Sequence, residues 1–299
     1  MTLKNTLLWT AIVTPFHPDG SIDWASLDRL VASQVAAGCG MVVGGSTGEG
    51  FSLSTTERLQ LIEYVIGLKP TVPLVVSVPA ATHADVLEFI RHCNGYPIVG
   101  YLAMTPLYTR PGIHGQTTWF QSLLDASAYP MILYNNKARA ATMLPTETVE
   151  ALQQHPRFFA IKDSNGNADV CLQYRALAPG IQVFSGDDDL LLDVLAAGGI
   201  GLISVLSNMW PHMVQQFLKR ALASSLTQAH IQAWKEICAV LYIASNPIPI
   251  KGLLAHSGVI SSATVRTPLS LLDDPKPARF AQICEMAESL SRLLQDESR

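Results

Sequence analysis

The sequence predicts an α/β protein: a (β/α)8 (TIM) barrel followed by a C-terminal helical extension. Three observations carry this expectation. Short apolar runs alternate with amphipathic stretches over the first two-thirds of the 299-residue chain. The runs are rich in Val, Ile and Leu and too uniformly apolar to have a solvent face, as in a parallel sheet covered on both sides. Eight such runs, each followed by a helical pattern, is the count of a closed barrel.

In order, strand patterns at 8–16, 41–44, 74–78, 98–104, 131–134, 158–161, 181–184 and 201–206 alternate with helical patterns at 24–37, 55–68, 84–93, 116–125, 146–154, 168–177 and 188–197. Ser54-Thr55-Thr56-Glu57 resembles a capping box, and Pro145 suits the first turn of the helix that follows it. An open doubly wound sheet is the competitor, but Gly199 and Gly201 lack the third glycine of its phosphate fingerprint. After Asn208 the patterns at 213–222, 231–244 and 278–294 are helical, with no further strand. The expected division is a barrel domain over 1–225 and a helical domain over 226–299 packed on it.

Composition narrows the function. Hydrophobic residues at 48% and charged residues at 15% suit a packed core and argue against disorder. A formal charge of −4, without a basic stripe, makes nucleic acid a poor partner. The longest apolar stretch, 194–206, contains three glycines and falls short of the ~20 residues a bilayer needs. The opening residues lack the basic, apolar and small-residue regions of a signal peptide. Five scattered cysteines with no CxxC pair fit reduced thiols in a cytoplasm. The eight histidines form no cluster at ligand spacing, so no metal is expected.

In a barrel of this kind the working residues end the strands. The sixth run ends Phe158-Phe159-Ala160-Ile161-Lys162-Asp163, and among eight lysines only Lys162 directly follows so apolar a run. Burial disfavours the ammonium, and a neutral lysine forms Schiff bases with carbonyl compounds. A lysine that snorkels to solvent or pairs with Asp163 is equally compatible with this segment. The second run ends Gly45-Ser46-Thr47-Gly48-Glu49-Gly50, with P-loop glycine spacing but Phe51-Ser52 in place of Lys-Ser/Thr. What remains is a turn of backbone N–H groups and two hydroxyls, suited to a carboxylate or enolate oxygen or simply a glycine turn. Tyr134 ends the fifth run and could relay protons, while Arg139 on the loop beyond could grip a carboxylate. Ser185-Gly186-Asp187-Asp188 ends the seventh, offering a ligand contact at Gly186 or a helix cap.

These segments, with Thr105-Pro106-Leu107-Tyr108-Thr109-Arg110-Pro111, Gly198-Gly199-Ile200-Gly201 and Asn246-Pro247-Ile248-Pro249-Ile250-Lys251, occur in one order along the chain. The pattern resembles the dihydrodipicolinate synthase / N-acetylneuraminate lyase family of class I, Schiff-base pyruvate enzymes, from about Leu8 to Leu294. Arg139 and the Asn-Pro-Ile-Pro segment most resemble its synthase branch. The resemblance implies a lyase in which Lys162 holds pyruvate as a Schiff base and Tyr134 relays protons with Ser46 and with Tyr108 of a neighbouring subunit. It further implies that Ser46 and Thr47 hold the pyruvate carboxylate, that Ile203 lines the pyruvate pocket, and that Gly186 contacts ligand. Arg139 would receive the carboxylate of a second substrate, aspartate semialdehyde. The implied partners are small molecules and further copies of the chain in a homotetramer, a dimer of dimers, with no metal or organic cofactor.

The chain departs from the family pattern at Ser46, where threonine is common, in the loop Asn136-Lys137-Ala138-Arg139-Ala140-Ala141, and at Val78-Pro79-Ala80. The first swap keeps a hydroxyl; the loop change falls on the side of the second substrate. It motivates a rival reading as an aldolase or dehydratase acting on a 2-keto-3-deoxy sugar acid. A non-catalytic pyruvate sensor is a further rival, disfavoured by the full set of Lys162, Tyr134, Ser46 and Tyr108. Where lysine-inhibited members hold the effector, this chain carries Thr55, Ala81, Asp85 and Leu107, which predicts insensitivity to L-lysine.

Overall fold

The computed structural model describes residues 2–79, 81–273 and 279–296. Eight parallel strands form a closed barrel in chain order. They are β1 (Leu8–Ala11), β2 (Gly40–Val43), β3 (Leu74–Ser77), β4 (Gly100–Met104), β5 (Met131–Asn135), β6 (Phe158–Asp163), β7 (Gln182–Ser185) and β8 (Gly201–Ser204). Nearly every strand residue is buried, as expected of strands whose two faces meet the barrel interior and the helices. β1, β3, β4 and β8 are shorter than the apolar runs that predict them, while β5 and β6 run on through Asn135 and Asp163. The remainder of the first run, through Phe16, continues as loop.

Between the strands lie α1 (Trp24–Ala37), α2 (Thr55–Gly67), α3 (His83–Cys93), α4 (Ile113–Ala126), α5 (Lys137–Ala140), α6 (Thr146–Leu152), α7 (Asp169–Leu177) and α8 (Leu191–Ala196). The capping box at Ser54 is formed: its hydroxyl accepts from the Glu57 N–H, and the Glu57 carboxylate accepts from the Ser54 N–H. Pro145 stands at the N-cap of α6, one residue before the first turn.

Beyond the barrel come α9 (Pro211–Leu222), α10 (Gln228–Cys238), α11 (Ile248–His256) and α12 (Phe280–Asp296). The pattern at 231–244 divides into α10 and a 3-10 turn over Ala239–Tyr242. Ala278, the first residue of the last expected helix, and Ala80 lie outside the described residues. Two helices escape the periodicity. α5 is a single turn capped by Asn136, too short to show a repeat. α11 opens on the proline-bearing Asn246–Lys251 segment, which no helical pattern marked, yet Pro at the first two positions costs a helix no hydrogen bond.

The chain divides into two compact units, residues 1–7 with 73–203, and residues 8–72 with 204–299. In the first, β3 to β8 pair in register from Val75↔Gly100 through Phe184↔Gly201. In the second, β1 pairs with β2, and Thr10, Gln34 and Ser207 share buried hydrogen bonds of 2.6–3.0 Å. There Phe217 of α9 stacks on Trp234 of α10 at 4.1 Å between ring centroids.

Candidate active site

Strand alternation decides what Lys162 faces. β5 and β6 pair with Tyr134 opposite Lys162 and Asn135 opposite Asp163. Asn135 Nδ2 donates to Asp163 Oδ1 at 2.8 Å and to the Tyr174 hydroxyl of α7 at 2.9 Å. Asn135 and Asp163 therefore face the helices, and Tyr134 and Lys162, one residue earlier, face the opposite side, the barrel interior. The possible Lys162–Asp163 ion pair is thereby ruled out by geometry. Asp163 instead accepts from Asn135 and, at 2.6 Å, from Asn165. Burial, with the nearby Asp187 charge, pushes its carboxyl up to about 6 against those two hydrogen bonds.

Lys162 is 4% exposed, so the snorkelling alternative is not realised. Its Nζ lies 4.4 Å from the centroid of the Tyr134 ring. Among the described residues it makes no hydrogen bond or ion pair. Gly186 makes room for it: a Cβ there would stand 2.5 Å from Lys162 Cε and would collide with Ser164 Oγ. The Gly186 N–H donates to the Asp163 carbonyl at 2.7 Å, which holds that close approach.

The Tyr134 hydroxyl is the most heavily worked group in this unit. Burial acts to raise its pKa, but the positive charges of Lys162 and Arg139 and a 3.0 Å hydrogen bond from Asn136 Nδ2 outweigh it, and the net direction is down. Arg139, at the end of α5, thus exerts its charge at the phenol. Asn136 also caps α5 through the Arg139 N–H at 3.0 Å, so one side chain ties the relay tyrosine to the arginine loop. Ser164 Oγ is buried without a hydrogen bond of ordinary geometry, though near enough to Tyr134 and Asp187 to favour their ionised forms. Asp187 is half-buried, and burial pushes its carboxyl up while the Lys162 charge opposes it. Sequence reasoning missed Asn136 and Ser164; their adjacency to Tyr134 and Lys162 was the available signal.

The structure thus brings together Lys162, Tyr134, Gly186 and the charge of Arg139. Ile203 is buried in β8 of the same unit. Tyr108 is not joined to them: it is 91% exposed, with a left-handed backbone at φ 65°, and none of the described contacts links it to Lys162 or Tyr134.

Ser46 and Thr47 belong to the other unit, on the loop after β2. Arg58 of α2 donates to the Gly44 carbonyl at 2.8 Å and to the Gly50 carbonyl, closing the loop at both ends. Only glycine fits at 50, where a Cβ would collide with the Gly44 carbonyl oxygen. Thr14 Oγ1 donates to the Gly48 carbonyl at 2.7 Å. The N–H groups of Ser46, Thr47 and Gly48, by contrast, have no acceptor among the described residues. That is the arrangement of a backbone anion cradle. Asn246 Nδ2 donates to Thr47 Oγ1 at 3.0 Å, and Glu49 is buried against Lys251 of α11. Both partners stand on the Asn-Pro-Ile-Pro segment, whose link to this loop is invisible in sequence.

Among the described residues no group of His, Cys, Asp and Glu could hold a metal ion, and no helix is long and apolar enough to cross a membrane. The model of the dihydrodipicolinate synthetase family matches residues 4–287. A 4-hydroxy-tetrahydrodipicolinate synthase of Wolbachia pipientis wMel is 46% identical over 285 residues, 95% of this chain and 97% of that one. That of Chlamydia pneumoniae is 44% identical over 266 residues, 89% of this chain and 90% of that one. The crystal structure of the chloride-inhibited dihydrodipicolinate synthase of Acinetobacter baumannii, complexed with pyruvate, superposes with a TM-score of 0.89 at 28% identity, covering 95% and 99% of the two chains. The protein belongs to the dihydrodipicolinate synthetase family.

Proposed function

We propose that this protein is a class I lyase that condenses pyruvate with aspartate semialdehyde to 4-hydroxy-tetrahydrodipicolinate, with Lys162 as the Schiff-base residue. The observation that carries the reading is a buried lysine, without an ion pair among the described residues, lying against a tyrosine whose hydroxyl pKa is driven down. The names and near full-length identity of the relatives support the two substrates.

The Lys162 amine attacks the ketone carbon of pyruvate, and loss of water leaves an iminium. The iminium draws electrons from the adjacent methyl group, which loses a proton to give an enamine. The enamine carbon attacks the aldehyde carbon, forming the new C–C bond, and the aldehyde oxygen takes up a proton. The amine of the semialdehyde then displaces Lys162 from the former ketone carbon and closes the ring. Tyr134 is suited to carry the protons, because its lowered pKa brings donor and acceptor forms closer in energy. Gly186 and Ile203 contact the pyruvate end in this reading. Ser46 and Thr47 take its carboxylate, and Arg139 takes that of the semialdehyde. The charge of Arg139 felt at the Tyr134 hydroxyl supports this over the sugar-acid alternative, whose far end carries no carboxylate for a cation to receive.

We further read the assembly as a homotetramer built as a dimer of dimers, in which Tyr108 serves a neighbouring subunit. Its exposure and left-handed backbone are costs that a second copy would offset. Cytoplasmic residence accords with five free cysteines. Loss of the family's effector-binding groups at Thr55, Ala81 and Leu107 supports insensitivity to L-lysine; Asp85 meanwhile shares a 2.6 Å hydrogen bond with Thr82, the cap of its own helix.

A coupled assay with pyruvate and aspartate semialdehyde tests the reading. Turnover dependent on both, with a borohydride-trapped pyruvate adduct on Lys162, is the expected result. An adduct on any other residue overturns the assignment.

A further inference from the structure

The loop carrying Ser46 and Thr47 is shaped from a segment outside the barrel strands. Glu49 sits in the left-handed region at φ 51°, where an L residue settles only if its surroundings hold it there. Its carboxylate is fully engaged. Oε1 accepts from Lys251 Nζ at 2.5 Å, and Oε2 accepts from the Arg266 backbone N–H at 2.7 Å. Lys251 is wholly buried; its Nζ also donates to the Thr264 carbonyl at 2.7 Å and stands 4.1 Å from the Phe16 ring centroid. Two residues along the loop, Thr47 Oγ1 accepts from Asn246 Nδ2. A hydroxyl that accepts there keeps its own proton free to donate elsewhere.

We infer that Asn246 and Lys251 are positioning residues for carboxylate recognition, holding the Ser46 and Thr47 turn in shape through Thr47 and Glu49 without touching substrate. The inference rests on the reading that this turn binds the pyruvate carboxylate. A buried ion pair is a poor way to stabilise a core, since desolvation offsets most of its attraction. Its worth here is geometric: it fixes the one loop residue with an unfavourable backbone, next to the N–H groups that form the cradle. Asn246 sets the polarity of the Thr47 hydroxyl. One short segment thereby controls two points of the loop.

Borohydride trapping with two ketones tests this: pyruvate, and hydroxyacetone, which reacts at the same lysine but has no carboxylate. Rates are expressed relative to the reactivity of each ketone toward free butylamine. The wild type should favour pyruvate. Asn246→Ala should lower that preference about tenfold, the scale of one hydrogen bond to a charged ligand, with hydroxyacetone trapping unchanged. Asn246→Asp should lower it further, because the Thr47 hydroxyl then donates its proton to the introduced carboxylate and has none left for the ligand. Lys251→Met should lower it as well; should that variant not fold, the Asn246 pair still decides. A wild-type preference for pyruvate that survives in both Asn246 variants overturns the inference. A wild type with no preference overturns the carboxylate reading of the turn, and the inference falls with it.

Discussion

Lys162 and Lys251 are both buried and both lie over an aromatic ring, yet the chain surrounds them in opposite ways. Lys251 Nζ has the Glu49 carboxylate at 2.5 Å and the Thr264 carbonyl at 2.7 Å, so its donors are committed. Lys162 Nζ has the Tyr134 ring face at 4.4 Å, no hydrogen bond among the described residues, and a glycine cut away beside its stem. Burial pushes Lys251 down to about 8 although the Glu49 charge opposes it. Burial and a depressed pKa at Lys251 therefore do not make it a Schiff-base candidate. The difference at Lys162 is that no carboxylate hydrogen-bonds it among the described residues, while a hydroxyl that can move protons lies beside it.

The largest effect that would sharpen this contrast is chemical. Lys162→Ala should lower turnover by at least about 10⁴ and abolish the borohydride adduct, as removal of a covalent nucleophile does. Peptide mass mapping that places the adduct on Lys251 would break the comparison. Next, Tyr134→Phe keeps the ring over Lys162 and loses the relay; kcat should fall roughly 10²–10⁴-fold while a slower adduct still forms. Equal loss in Asn136→Ala would assign the effect to packing around the phenol instead of its proton.

On the Lys251 side the expected cost is stability. Lys251→Met leaves Glu49 charged, buried and unpaired, for a loss of about 3–5 kcal/mol in urea denaturation. Adding Glu49→Gln should recover much of it. No recovery would mean that the pair matters through its shape and not its charge.

The smallest effect is a pH slope. Asp163 titrates near 6 in the fold, above its unfolded value near 3.8, so the native state binds its proton more tightly. Its contribution to stability is present below about pH 4 and is lost as pH rises through 6. Glu57 has the opposite sign: the hydrogen bond from Arg266 holds it down to about 2, and its contribution is lost as pH falls toward that value. Asp163→Asn should flatten the melting temperature between pH 4 and 6 by a few degrees at most, leaving the acid limb intact. An unchanged slope would show that Asp163 does not titrate in that window.

The sequence by itself determined the barrel and the strand-end positions of Lys162, Tyr134 and Gly186. Eight apolar runs without a polar face can be buried only in a sheet covered on both sides, and their ends name the residues at the barrel mouth. The motif order along the chain did the rest, since no single segment separated a Schiff-base lysine from a snorkelling one. Tertiary structure alone decided what each group faces. The one-residue alternation on β6 sends Asp163 toward Tyr174 and leaves Lys162 without an ion pair among the described residues. The hold of residues 246–251 on the loop after β2 joins positions about two hundred apart in the chain, Asn246 to Thr47 and Lys251 to Glu49. Periodicity reports a residue's local face, and a motif reports its neighbours in the chain. A hydrogen bond between distant segments is specified by neither, because it exists only once the intervening chain has folded and brought donor and acceptor within reach.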